Sequence, residues 1–164
     1  CDTFDGKIAR AMKNRTKEME IFGIQIDSLC DMVCFGVTPV IISYQMGLNS
    51  VWGIAIEILF VLCGVIRLAY FNVLEELKHT NPETDQAKGY RGLPITTITI
   101  IYPIVYLFHP LVSHETFLLF LAIMHIVVAF LYVLDFKLKK PGNSVIAAMM
   151  VLVTAVMVCI LFVE

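Results

Sequence analysis

The sequence predicts an all-α integral membrane protein, a polytopic helix bundle with five complete spans and an N-terminal stub. Three observations carry that reading. Of the 164 residues 59% are hydrophobic and only 16% charged, with a mean hydropathy of +0.82, a balance that excludes a water-soluble globular domain. Uncharged stretches recur at the ~20-residue length a helix needs to cross hydrocarbon. Apart from Arg67, the basic residues fall only in the N-terminal stub and in alternate connections between those stretches.

Taken in order, residues 32–56 carry no charge, and joined to residues 22–31 they predict one helix ending near Gly47, Asn49 and Ser50. The next span runs over 51–74, interrupted by Glu57 and Arg67. Residues 92–114, 116–134 and 141–163 are free of formal charge and predict the remaining three spans. Pro39, Pro94 and Pro103 are expected to kink or start spans. Before the first span lie Lys7, Arg10, Lys13, Arg15 and Lys17. Arg67, Lys78, Lys88 and Arg91 lie at or after the end of the second, and Lys137, Lys139 and Lys140 precede the last. The loops at 46–50 and 109–115 have no Lys or Arg. The positive-inside rule therefore places the stub and the basic loops in the cytoplasm of a cell-membrane protein. Bulk charge is −2, which suggests no nucleic-acid surface. Five cysteines, four of them in apolar stretches (Cys30, Cys34, Cys63 and Cys159), read as reduced, packed thiols rather than a disulfide framework. Residues 1–164 are expected to form a single membrane domain, and the opening Cys1 suggests that it begins partway through an element.

The acidic residues carry the chemistry. Residues three or four apart share a helix face, so Asp2 and Asp5 point together from the first helix and Asp27 and Asp31 from the second. Four carboxylates converging at the membrane surface repel one another unless divalent cations neutralise them, and hard oxygen ligands suit magnesium, manganese or calcium. Gly6 and Gly23 remove side chains beside the two acidic faces and leave room for a ligand. Arg10 adds a bidentate phosphate donor beside Asp5. Metal, arginine and glycine together describe phosphoryl-type chemistry.

The pattern Asp2-x-x-Asp5-Gly6-x-x-Ala9-Arg10, then Gly23-x-x-x-Asp27-x-x-x-Asp31, resembles the signature of the CDP-alcohol phosphotransferases, integral membrane enzymes of phospholipid synthesis. Every signature residue is present, although the twelve residues between Arg10 and Gly23 exceed the family's usual spacing by about one helical turn. The run Asp27-Ser28-Leu29-Cys30-Asp31-Met32-Val33-Cys34-Phe35-Gly36-Val37-Thr38-Pro39 is similar to the branch of that family whose acceptor is serine. So are Arg67-Leu68-Ala69-Tyr70-Phe71-Asn72 and Gly92-Leu93-Pro94.

The resemblance implies transfer of the phosphatidyl group of CDP-diacylglycerol to the hydroxyl of L-serine, with release of CMP. It implies two divalent ions held by Asp2, Asp5, Asp27 and Asp31, and a CDP pocket formed by Asp2, Asp5, Gly6, Ala9, Arg10, Gly23 and Asp27. Asp31 is implied as general base, and the protein is implied to work as a homodimer among membrane lipids. A serine substrate brings a carboxylate, for which Arg67, Asn72 and Arg91 are the candidate partners, although Arg67 is equally suited to snorkelling. Two alternatives stay open: the same chemistry on an inositol phosphate or glycerol phosphate acceptor, or a membrane cation transporter using the carboxylate pairs. Glu57 is expected to be paired or at a dimer interface, and His125 to be a hydrogen-bonded packing residue.

Overall fold

The computed structural model describes residues 16–80 and 90–138, together with residues 151, 154, 155 and 158. Asp2, Asp5, Gly6, Ala9 and Arg10, and most of the expected span at 141–163, lie outside the described residues.

Helix α1, Lys17–Asp31, starts at Thr16, whose hydroxyl accepts from the Met19 amide at 3.3 Å, and Glu18 and Glu20 in the first turn suit its positive end. It runs without a break into a π-helical turn, Met32–Val37, and then into α2, Thr38–Gln45. Pro39 supplies no N–H to the ladder, and the Val33 carbonyl here accepts from both the amide of Thr38 and its hydroxyl, the latter at 2.9 Å. The rod Lys17–Gln45 has 29 residues, about 43 Å of helix against ~30 Å of hydrocarbon. Counting ~20 residues back from Gln45 puts the membrane boundary beside Asp27.

Gly47, at φ 114°, turns the chain through a conformation that suits glycine. A Cβ there would come within 3.0 Å of the His114 ring, so the turn seats against the start of a later helix. Helix α3, Val51–Thr80, follows, with the Ser50 hydroxyl accepting from the Gly53 amide at 3.1 Å. The short strand β1, Tyr90–Arg91, leads through a 3-10 turn, Ile95–Thr97, into α4, Ile98–Tyr106. A second 3-10 turn, His109–Leu111, precedes α5, His114–Val133, which Ser113 caps. Strand β2, Lys137–Leu138, pairs antiparallel with β1, Tyr90 opposite Leu138 and Arg91 opposite Lys137.

The main seam is α3 against α5, which run parallel, and Phe60, Phe117, Leu121 and Val128 fill it. The outer surface is apolar: Val51 and Trp52 are 82% and 81% exposed, and Phe22, Leu29 and Phe130 are exposed too. Such a surface is sustained by lipid rather than water. The chain is thus an all-α membrane protein, and among the described residues three helices have the length and apolarity to cross: Lys17–Gln45, Val51–Leu74 and His114–Val133.

Three expectations change. The helical part of 92–114, Ile95–Leu111, is shorter than the uncharged stretch, because it starts only after Gly92 and Pro94, and it carries Pro103 inside it. Cys30, on a helix that buries none of its residues, and Cys34, in the π-helical turn, are exposed rather than packed, whereas Cys63 is buried. The β1–β2 pair is an element that hydropathy does not signal.

The described parts of the basic segments gather at one end: Lys17 and Glu76 share a groove, and β1 pairs with β2. The turns at Gly47 and Ser113 lie together at the other end. With the basic end cytoplasmic, single cysteines at Lys17 and Asp135 in a cysteine-free background should resist an impermeant thiol reagent in intact cells. Those at Asn49 and Leu111 should react, and the opposite pattern would reverse the orientation.

Candidate active site

Asp27 and Asp31 stand one turn apart on the same face of α1, Asp27 exposed and Asp31 half-buried, at the depth where the rod leaves hydrocarbon. Gly23 lies one turn before Asp27 on that face. Between the acids, Ser28 points to α3: its hydroxyl lies 2.8 Å from Asn72 Oδ1 and 3.0 Å from the Ile24 carbonyl, so one proton serves two acceptors. Asn72 Nδ2 donates in turn to Gln25 Oε1 at 3.4 Å. Counting ~20 residues from Val51 brings α3 to the membrane boundary just before Asn72, so the two helices are tied at the depth of the acid pair. Beside this tie a cavity of about 200 Å³ opens between α1 and α3, lined in part by Lys17, Glu20, Gln25, Asn72 and Glu76.

Arg67 lies inward of Asn72 on α3 and is only 5% exposed, so it does not snorkel. Its Nε donates to the Leu93 carbonyl at 2.8 Å and its Nη2 to the Gly92 carbonyl at 3.4 Å. Tyr70 and Asp135 are close enough to act on it electrostatically, which suits a cation drawn below the surface. Gly92 is at φ 74°, and its amide donates to the Phe136 carbonyl at 2.7 Å. A Cβ on Gly92 would lie 3.1 Å from the Leu134 carbonyl. Tyr132 completes the clamp by donating to the Ile95 carbonyl at 3.0 Å. Arg67 therefore braces the turn that follows Arg91 and ties it to the end of α5.

The fold thus brings together Gly23, Asp27, Asp31 and Asn72, and sets Arg67 beneath the turn that β1 enters. Asn72 and Arg67, expected to face serine, spend these hydrogen bonds on the protein itself. Ser28 and Gln25 were not singled out from sequence; the only signal was that Ser28 lies between two acids on a helix. Among the described residues no group of three or more His, Cys, Asp or Glu side chains gathers. The pair Asp27 and Asp31, hard oxygen donors at a polar boundary, fits a share in a divalent-cation site.

The profile of the family described as CDP-alcohol phosphatidyltransferase matches residues 1–132. A Saccharomyces cerevisiae protein named CDP-diacylglycerol–serine O-phosphatidyltransferase is 38% identical over 106 residues, 64% of this chain and 37% of that protein. A Methanocaldococcus jannaschii protein of the same name is 31% identical over 144 residues, 88% of this chain and 61% of that one. The archaetidylserine synthase of Methanothermobacter thermautotrophicus is 36% identical over 107 residues, 65% of this chain and 41% of that protein. The chain spans less than two thirds of each of these relatives. No solved structure matches it.

Gly92→Ala forces a side chain into the left-handed region, at about 1–2 kcal/mol, and should lower the thermal unfolding midpoint by roughly 2–8 °C. An unchanged midpoint would show that the turn is not held as described.

Proposed function

The chain belongs to the CDP-alcohol phosphatidyltransferase family, and from that premise we propose that it carries the site at which the phosphatidyl group of CDP-diacylglycerol passes to the hydroxyl of L-serine, releasing CMP. The observation that carries this reading is the Ser28–Asn72 bond. It sets the helix bearing Asp27 and Asp31 against the segment of α3 that runs from Arg67 to Asn72, so the described half of the signature lies beside part of the serine-branch motif. The matched relatives support it, since their names have serine in common while the lipid differs.

The serine hydroxyl is a poor nucleophile with a pKa far above neutral and needs a positioned base. Asp31 takes that proton as the oxygen bonds to the phosphorus bearing the diacylglycerol group and the bond to the CMP oxygen breaks. Asp2, Asp5, Gly6, Ala9, Arg10, Gly23 and Asp27 hold the CDP part. Members of the family generally use divalent metals, and Asp2, Asp5, Asp27 and Asp31 would hold two such ions, magnesium or manganese, which offset the charge of the diphosphate. Arg91 meets the serine carboxylate, while Arg67 acts through the turn it braces. The enzyme works as a homodimer in the cell membrane with this end cytoplasmic.

The purified protein should release CMP from CDP-diacylglycerol only with serine and a divalent ion, and a chelator should stop it until the ion is restored. Asp27→Asn and Asp31→Asn should each remove turnover, with Asp31→Asn sparing nucleotide binding more. Arg91→Ala should raise KM for serine roughly 10- to 100-fold, the loss of one charged hydrogen bond, and leave that for CDP-diacylglycerol nearly unchanged. Faster CMP release with inositol phosphate or glycerol phosphate than with serine would overturn the acceptor.

A further inference from the structure

Four polar side chains, one from each of four helices, meet inside the bundle on the Gly47 side of Phe60. They are Ser43 on α2, Glu57 on α3, Tyr102 on α4 and His125 on α5. Ser43 and His125 are 0% exposed and Glu57 is 3% exposed. One contact among the four is a hydrogen bond, Ser43 Oγ and Tyr102 Oη being 2.8 Å apart, and the Tyr102 hydroxyl also donates to Met46 Sδ at 3.7 Å. His125 Nδ1 lies 3.0 Å from the Leu121 carbonyl. A carbonyl only accepts, which assigns the ring hydrogen to Nδ1 and leaves a lone pair on Nε2.

Two atoms of the cluster, Glu57 Oε1 and His125 Nε2, have no hydrogen-bond partner among the described residues. They occupy one region. Phe60, one turn from Glu57, meets the His125 ring edge-on at 4.8 Å, and the Tyr102 ring lies 6.3 Å from the same imidazole. Glu57 is also near enough to the Tyr102 hydroxyl to act on it electrostatically. Helix register agrees. Arg67 and Leu134 both meet Gly92, and α3 and α5 are parallel, so climbing about 15 Å from Arg67 reaches Glu57 and a similar climb from Leu134 reaches His125.

Both atoms are acceptors, so they cannot bond to each other, and a group bridging them has to bring two donors. We propose that Glu57 Oε1 and His125 Nε2 share one internal water molecule, on the side of the bundle where the Ser43–Tyr102 hydroxyl pair lies. Water suits the position: it supplies two hydrogens, and buried waters take two to four polar partners. A transition metal would want more ligands than one carboxylate and one imidazole, and no third His, Cys, Asp or Glu joins them among the described residues. The site's work is mechanical. It ties α4, with Pro103 inside it, to α2, α3 and α5 in a medium that offers no hydrophobic drive for their association, and it is independent of the proposed transfer reaction.

The test is a double-mutant cycle on the purified protein, read as thermal unfolding in one fixed detergent. Glu57→Leu and His125→Leu should each lower the midpoint by roughly 4–8 °C. The double variant should lose clearly less than the sum, because neither acceptor then remains to be served. Glu57→Gln keeps a carbonyl acceptor and should stay within about 2 °C of the parent. Additive losses, or Gln falling as far as Leu, would overturn the proposal. Should the leucine variants fail to fold, a high-resolution map of the parent decides: one water peak in reach of both atoms supports it, and a direct contact, an empty gap or a bound metal refutes it.

Discussion

Arg67 grips the carbonyls of Gly92 and Leu93, and the arrangement of the basic end follows from that grip. A guanidinium drawn inside a bundle has to spend its donors on the protein. Backbone carbonyls released by a glycine at positive φ and a following proline are the acceptors within reach. The same turn passes its amide to Phe136, so α3, the β1 connection and the end of α5 are locked at one level. A conventional span in that stretch would keep those carbonyls inside its own helix and leave the arginine without them.

Polar satisfaction explains the other joints. In hydrocarbon, apolar side chains gain little by leaving lipid for one another, and helices are held by packing and by hydrogen bonds between them. Ser28 with Asn72 closes α1 on α3, Ser43 with Tyr102 closes α2 on α4, and Tyr132 with the Ile95 carbonyl closes α5 on the start of α4. Between these ties the core is apolar and dense, centred on Phe60 and Leu121. The π-helical turn immediately after Asp31 belongs to the same economy of backbone groups, since it hands the Val33 carbonyl to Thr38 next to Pro39.

Much of this was legible from the chain alone. Absence of charge located the long rod and its end at Gly47, and the span at 51–74, because a buried charge is costly enough that its absence over ~20 residues carries information. At 92–114 the same rule marked the apolar stretch but not where its helix begins, since the proline and glycine there release backbone groups that neighbouring helices serve. Asp27 and Asp31 were legible because helical spacing alone places them on one face. Asn72 was legible as a candidate for the serine site but its tie to Ser28 and Gln25 was not, since a side-chain amide serves as well between two helices as toward a ligand.

The sequence by itself determined the medium, the spans at 51–74 and 116–134, the helical pairing of the acids and the end of the molecule at which the charges gather, since each of these follows from local composition and period. Tertiary structure decided the partners. Arg67 turned inward to a loop 25 residues on, Ser28 crossed to Asn72, 44 residues away, and Glu57 and His125 each kept a buried atom with no hydrogen-bond partner among the described residues. Such choices depend on which donors and acceptors are left unserved when helices pack, and that depends on the whole bundle rather than on any window of its sequence.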